Sequence, residues 1–288
     1  MFRKSLMRSV FAFLLIQSIT VKSLSYDTLT LDQIVNNDKV YFELVALGGH
    51  SGECLELYML NNSADTIAVI IEPGRMFFCE NDSMQNLVVM RSLYFKLAPK
   101  KALREPIFAF CCVSRKLSPE KNTLFRNGYA DDGYYKSLAT FVEKHNFSKG
   151  DIQSAVWVIS DNHPIASICG QKNDSASDLK FWLSNTLNRA FPWYCIEYDK
   201  QDTSVFQNKH LKLTGVFTFR VPHYSNVTIQ VRGKSGRIVD YILKSKACNA
   251  GEYDFPVNLN VHNWPNGTYE IMVFSDGNRI NKPIFFDL

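Results

Sequence analysis

Few side chains in this 288-residue chain are spaced for chemistry. Asp161 and His163 stand two apart in the stretch Gly150 to His163 (GDIQSAVWVISDNH), enough to pair a carboxylate with a general base. His50, Glu53 and Cys54 are close enough to suggest a metal, and Gly49-His50-Ser51-Gly52-Glu53 suggests a nucleophile turn. Neither pattern is complete. A zinc site needs a second ligand pair, and the serine lacks the G-x-S-x-G spacing and the following helix of a nucleophile elbow. GHSGE therefore reads as a hairpin turn. Asp161-Asn162-His163-Pro164 reads as a helix stop, since the residue before a proline is biased away from helix. In the same stretch Ile152, Ala155, Val156 and Ile159 form one apolar helical face. Asp151 suits the positive helix start. Gln153 and Trp157 are left unexplained by that face.

All seven cysteines, Cys54, Cys79, Cys111, Cys112, Cys169, Cys195 and Cys248, follow residue 50. The odd number leaves at least one sulfur without an internal partner. The expected pairs are Cys54–Cys79 and Cys169–Cys195, although spacing alone does not fix connectivity. There is no C-x-x-C pair, so neither a zinc ribbon nor a thioredoxin-type site is supported.

The elements that must position these groups are mostly strands. Val40 to Leu47, Leu55 to Leu60, Thr66 to Glu72, Leu87 to Leu97 and Ile107 to Val113 are β-branched and aromatic, with turn chemistry between them. Leu55, Leu57 and Met59 alternate with Glu56 and Tyr58, as on a half-buried strand. Five such strands predict a β-sandwich of about 90 residues. Three short helices follow: Tyr135 to His145, the central stretch, and Ala176 to Ala190, the last burying Leu179, Trp182, Leu183 and Leu187. They are too few for a core of their own and should pack on the sandwich. The last 75 or so residues read as strands again.

Export is the next expectation. Arg3, Lys4 and Arg8 precede the apolar run Val10 to Ile19, with small residues Ser23 and Ser25 beyond it, which predicts a signal peptide over 1–25 and cleavage near Tyr26. That run is short for a membrane span. The segment carries four of the 32 basic residues and no acid, leaving 28 basic against 28 acidic residues. A neutral mature chain without a basic cluster argues against a nucleic-acid partner.

Two stretches carry family resemblances. Phe219 to Val239 holds an apolar strand, a proline, Ser-Asn-Val-Thr-Ile-x-Val and Gly-x-x-Gly-Arg-x-Val, and Asn263 to Val273 reads Asn-Trp-Pro-Asn-Gly-Thr-Tyr-Glu-Ile-x-Val. Together they resemble the immunoglobulin-like domain of the flagellar hook-capping family and the related C-terminal sorting domains of type IX secretion cargo. The resemblance covers about a quarter of the chain. It implies an Ig-like sandwich, with Tyr269 packed inside, that serves sorting or attachment. The Tyr-Pro-Asn-Pro opening and basic ending common in those sorting domains are absent.

Ile152-Gln153-Ser154-Ala155-Val156-Trp157, with Phe110-Cys111-Cys112-Val113 upstream, is similar to the Gln and aromatic-Cys motifs of bacterial surface thioester domains. That resemblance implies a Cys thiol displacing ammonia from the Gln153 carboxamide, giving an internal thioester that surface amines open. The step depends on holding sulfur against the amide carbon. Adjacent Cys111 and Cys112 leave the choice of thiol open, and only about 40 residues separate the motifs, fewer than is usual in that family. The reading in which Gln153 bonds locally and Trp157 is core stands beside it.

The expected architecture is mainly β with a small helical part: signal peptide 1–25, N-terminal β-sandwich 26–117, helical subdomain 118–190 packed on it, connector 191–212 and Ig-like β-domain 213–288. The expected work is non-catalytic binding or adhesion, secreted or at the cell surface. It involves a protein or glycan ligand and the secretion machinery, with no cofactor, metal or transmembrane segment in the mature chain. The alternatives are the thioester adhesin using Cys111 or Cys112 with Gln153, and a secreted hydrolase using His50 or His163.

Overall fold

The computed structural model describes residues 28–170, 176–199, 206 and 209–288, so the signal segment and its cleavage point near Tyr26 lie outside the described residues. The chain is mainly β with a small helical part. β1 (Thr28–Thr30) runs directly into α1 (Leu31–Val35), a five-residue helix started by a capping box between Thr30 and Gln33. Then follow β2 (Val40–Ala46), β3 (Ser51–Asn61), β4 (Ile67–Ile71), β5 (Arg75–Cys79), β6 (Leu87–Val89), β7 (Leu93–Leu97), β8 (Ala102–Cys111) and β9 (Leu124–Ala130).

The sandwich expectation takes a more closed form. Strands β2-β3-β8-β6-β5-β9 close into a barrel, and β1-β4-β7 form a separate three-stranded sheet. Both contribute to one core, in which Leu31, Val69 and Ile71 meet Leu57, Phe77 and Leu87. The single strand expected over Leu87 to Leu97 breaks at Met90 to Ser92 into β6 and β7, which belong to different sheets. The barrel also extends past the expected boundary at residue 117, because β9 is one of its staves.

Three helices cover one flank of the barrel: α2 (Tyr134–Glu143), α3 (Lys149–Ser160) and α4 (Ala176–Thr186), with a 3-10 turn at Ile165–Ser167. Their apolar faces (Leu138, Val142, Ile152, Val156, Leu179) join Val88, Phe110 and Cys112 in a second core. The N-cap of α3 is Ser148, whose Oγ accepts the Asp151 N–H at 3.1 Å. Asp151 instead sits within the first turn and receives the Gly170 N–H at 3.0 Å. Among the described residues no helix is long and apolar enough to cross a membrane.

The C-terminal part is a two-sheet sandwich built from β10 (Tyr194–Tyr198), β11 (His210–Val221), β12 (Ser225–Gly233), β13 (Ile238–Cys248), β14 (Gly251–Asn260), β15 (Thr268–Ser275), β16 (Asn278–Arg279) and β17 (Ile284–Asp287). One sheet is β10-β11-β14. The other is β13-β12-β15, with β16 and β17 both pairing with β15. Phe217, Phe219 and Leu259 face Ile229, Val231 and Ile271 between them. Tyr269 packs inside, stacked on Phe286 at 5.3 Å, while its hydroxyl donates to Pro265 O at 2.6 Å. The expected connector 191–212 thus contains β10, and the sandwich begins at Tyr194.

Candidate functional site

The end of β8 is where the sequence-flagged residues meet. Strand alternation sends the Phe110 and Cys112 side chains into the helix-facing core and Cys111 into the barrel. On α3, one turn past the N-cap, Gln153 is almost fully buried. Its Nε2 donates to Cys111 O at 2.7 Å and its Oε1 accepts the Cys111 N–H at 3.2 Å. The carboxamide therefore grips both peptide groups of one residue 42 positions upstream. The Cys111 N–H also reaches His50 O at 3.0 Å.

Gln85 makes a parallel clasp that the sequence did not announce. Fully buried, it accepts the Val113 N–H at 3.2 Å and donates to Lys116 O at 2.9 Å. Two carboxamides thus supply the bonds that strand pairing cannot once β8 ends, as buried backbone groups require.

The thiols near this clasp are held protonated. Burial drives the Cys111 thiol far above its ordinary range, with neighbouring Cys54, Cys112 and Cys79 adding to the effect. Burial likewise pushes Cys112 up to about 12, and its Sγ donates to Asn86 O at 3.3 Å. Cys54, also raised to about 12 by burial, donates to Ala109 O at 3.3 Å. Cys54 and Cys79 are free thiols lining the barrel core, not the expected pair. Cys169–Cys195 is a disulfide, fastening the segment after the 3-10 turn to β10. With Cys54 turned inward and Glu53 exposed, the two do not converge with His50. No group of metal-ligating side chains forms among the described residues.

Trp157 gathers both histidines. Its ring lies 6.2 Å from that of His50, nearly parallel, and 5.7 Å from that of His163. Phe206 packs 4.3 Å from His163. His163 Nε2 is 3.0 Å from Ser114 Oγ, and burial lowers the His163 pKa, Asp161 opposing and Arg115 assisting. A serine hydroxyl on a neutral imidazole is the start of a nucleophile–base pair. Here Ser114 is fully buried, and Asp161 accepts the Ser114 N–H and the Ser160 hydroxyl. That pattern locks the segment after β8 to the end of α3.

A solvent-facing site lies on the other side of the helical layer. Asp178, Phe181, Trp182 and Asn185 fall at i, i+3, i+4 and i+7 of α4. With Phe141 of α2 and His145, two residues beyond its end, they line a shallow cleft of about 330 Å³. Trp182 stacks on Phe141 at 5.1 Å and 15°, and Phe181 is 60% exposed. Sequence reading placed Trp182 in the core; it is only partly buried and walls this cleft. No protein-family model matches the chain, and no curated protein matches it.

Proposed function

We propose that this chain is an exported, non-catalytic binding or adhesion protein, secreted or held at the cell surface, whose ligand docks on the helical layer. The observation that carries this reading is the α2–α4 cleft, where the stacked Trp182 and Phe141 stand beside exposed Phe181. Large exposed aromatics beside a carboxylate and a carboxamide are the chemistry of ring-stacking recognition with hydroxyl partners, which suits a glycan. The C-terminal sandwich, through its resemblance to hook-capping and type IX sorting domains, would serve in sorting or attachment. The test is a glycan array probed with the mature chain and with Phe181→Ser and Asp178→Asn, both surface changes. The expected result is a bound set lost in both variants at unchanged melting temperature. Identical profiles for wild type and variants would remove the cleft from the reading.

One observation favours a covalent version of the same function, a thioester adhesin: the Gln153 carboxamide lies against the Cys111 backbone, beside both candidate cysteines. In the unlinked protein the carboxamide engages the Cys111 peptide groups while the thiol faces the barrel core, so linkage would require it to leave this clasp. Intact mass before and after methylamine decides. A mass one ammonia light that gains one methylamine, and is restored to the unlinked value in Cys111→Ser or Cys112→Ser, identifies the thioester and its sulfur. A mass explained by cleavage and the disulfide alone eliminates it.

A further inference from the structure

The barrel is closed by very little at one seam. β2 and β9 pair only at Leu44–Phe125 and Val45–Leu124. Ala46 points both backbone groups across this seam, donating to Thr123 O at 2.8 Å and accepting from Asn122 N at 2.9 Å. By the alternation of an antiparallel strand, Leu44 and Phe42 point the same way. On the facing strand, the Leu124 carbonyl turns away to Glu80 N at 3.1 Å, so Phe125 and Asn127 point back into the seam. Continuing the register would pair Phe42 with Asn127, but the pairing has already ended. The two strands part instead around a groove of about 550 Å³. Its walls include Val35, Tyr41 and Leu124, each at least 40% exposed.

Two unpaired strand edges facing a shared groove form a receptor for a third strand. The charges say which kind. Glu43, Glu80 and Arg126 all line the groove, two acids against one base, with the Arg126 guanidinium over the Phe78 ring at 5.9 Å. We propose that this seam binds an extended, lysine- or arginine-bearing segment of another polypeptide. The segment adds between β2 and β9, bonding to the Phe42 backbone on one side and the Asn127 backbone on the other. Alternate side chains fill the groove, and its basic residues meet Glu43 and Glu80. The site is independent of the α2–α4 cleft and stands or falls without it.

The experiment uses the mature full-length chain and a fluorescein-labelled heptapeptide of alternating lysine and valine. Anisotropy should show saturable binding, weakened about fivefold or more by Glu43→Lys and again by Glu80→Lys. An aspartate–valine peptide should not bind. A lysine–valine peptide N-methylated at alternate residues keeps its charge but cannot donate along one of its two edges, and its binding should weaken. Hydrogen exchange at the Phe42 and Asn127 amides should be fast in the free chain and slow once peptide is added. Equal binding of the N-methylated peptide would overturn the proposal, as would slow exchange of those amides in the free chain. Protection that rises with protein concentration alone would overturn it in favour of a second copy of this chain.

Discussion

Replacing Gln153 with alanine tests whether the end of β8 depends on its carboxamide clasp. Among the described residues the change removes the only side-chain donor to Cys111 O, while the Cys111 N–H keeps its bond to His50 O. One buried carbonyl is therefore stranded, at about 1–3 kcal/mol. Losing the buried aliphatic part of the side chain adds about 1 kcal/mol. The expected loss is about 2–4 kcal/mol, read by urea unfolding of the mature protein whose mass shows Gln153 intact. Gln153→Glu sharpens the test. Its carboxylate would face Cys111 O, so the folded state favours the protonated acid and raises its pKa. A group with a raised folded pKa stabilises below its unfolded value and loses that contribution as pH rises through the folded one. The Glu variant should therefore approach wild type as pH falls toward 4. An alanine variant within about 0.5 kcal/mol of wild type, the range of an ordinary surface change, would refute the clasp.

Three further outcomes follow from other contacts. Arg75 is fully buried, with Asp32 at 2.7 Å, Glu72 at 2.8 Å and Asn127 at 3.0 Å, so Arg75→Leu should cost about 3 kcal/mol in denaturant, the low end of buried-pair losses because Asp32 is half exposed. The Arg75 hydrogen bond lowers the Asp32 pKa, and burial lowers those of His163 and His50. Each depressed group stabilises above its unfolded pKa and loses that contribution as pH falls through the folded one. Melting temperature should therefore decline from pH 7 to 5 through the histidines and again below about pH 4 through Asp32, with His163→Gln flattening the first decline. Reducing Cys169–Cys195, which spans 26 residues, should lower stability by about 3–4 kcal/mol, and a calorimetric scan with and without reductant checks this.

What the sequence made legible was local, and what it hid was set by distance. The three helices over 134–186 and most core strands follow from periodicity, and the Cys169–Cys195 pair brackets a helix that can be seen in the residues. α1 escaped because five residues hold too little period. β9 was hidden by Asn127-Gly128, which reads as a turn. Within the strand that glycine serves a close approach instead, since a Cβ at Gly128 would stand 2.6 Å from Met76 O. Barrel closure depends on β5 and β9 pairing across some 50 residues, and no dipeptide encodes that. Gln153 shows the same limit at the site. The helical period marked it as unexplained, a true signal, but its partner was fixed by the path of β8 and lay 42 residues away. Cys111 and Cys112 illustrate the converse. One step of strand alternation sends adjacent identical thiols into different cores, and a motif written only as residue types cannot carry that distinction. The groups at the end of β8 are therefore brought together by topology. A thioester there would require freeing one carboxamide from one peptide group and also turning a sulfur out of its core, and the Gln153 unfolding measurement bears on the first of these costs.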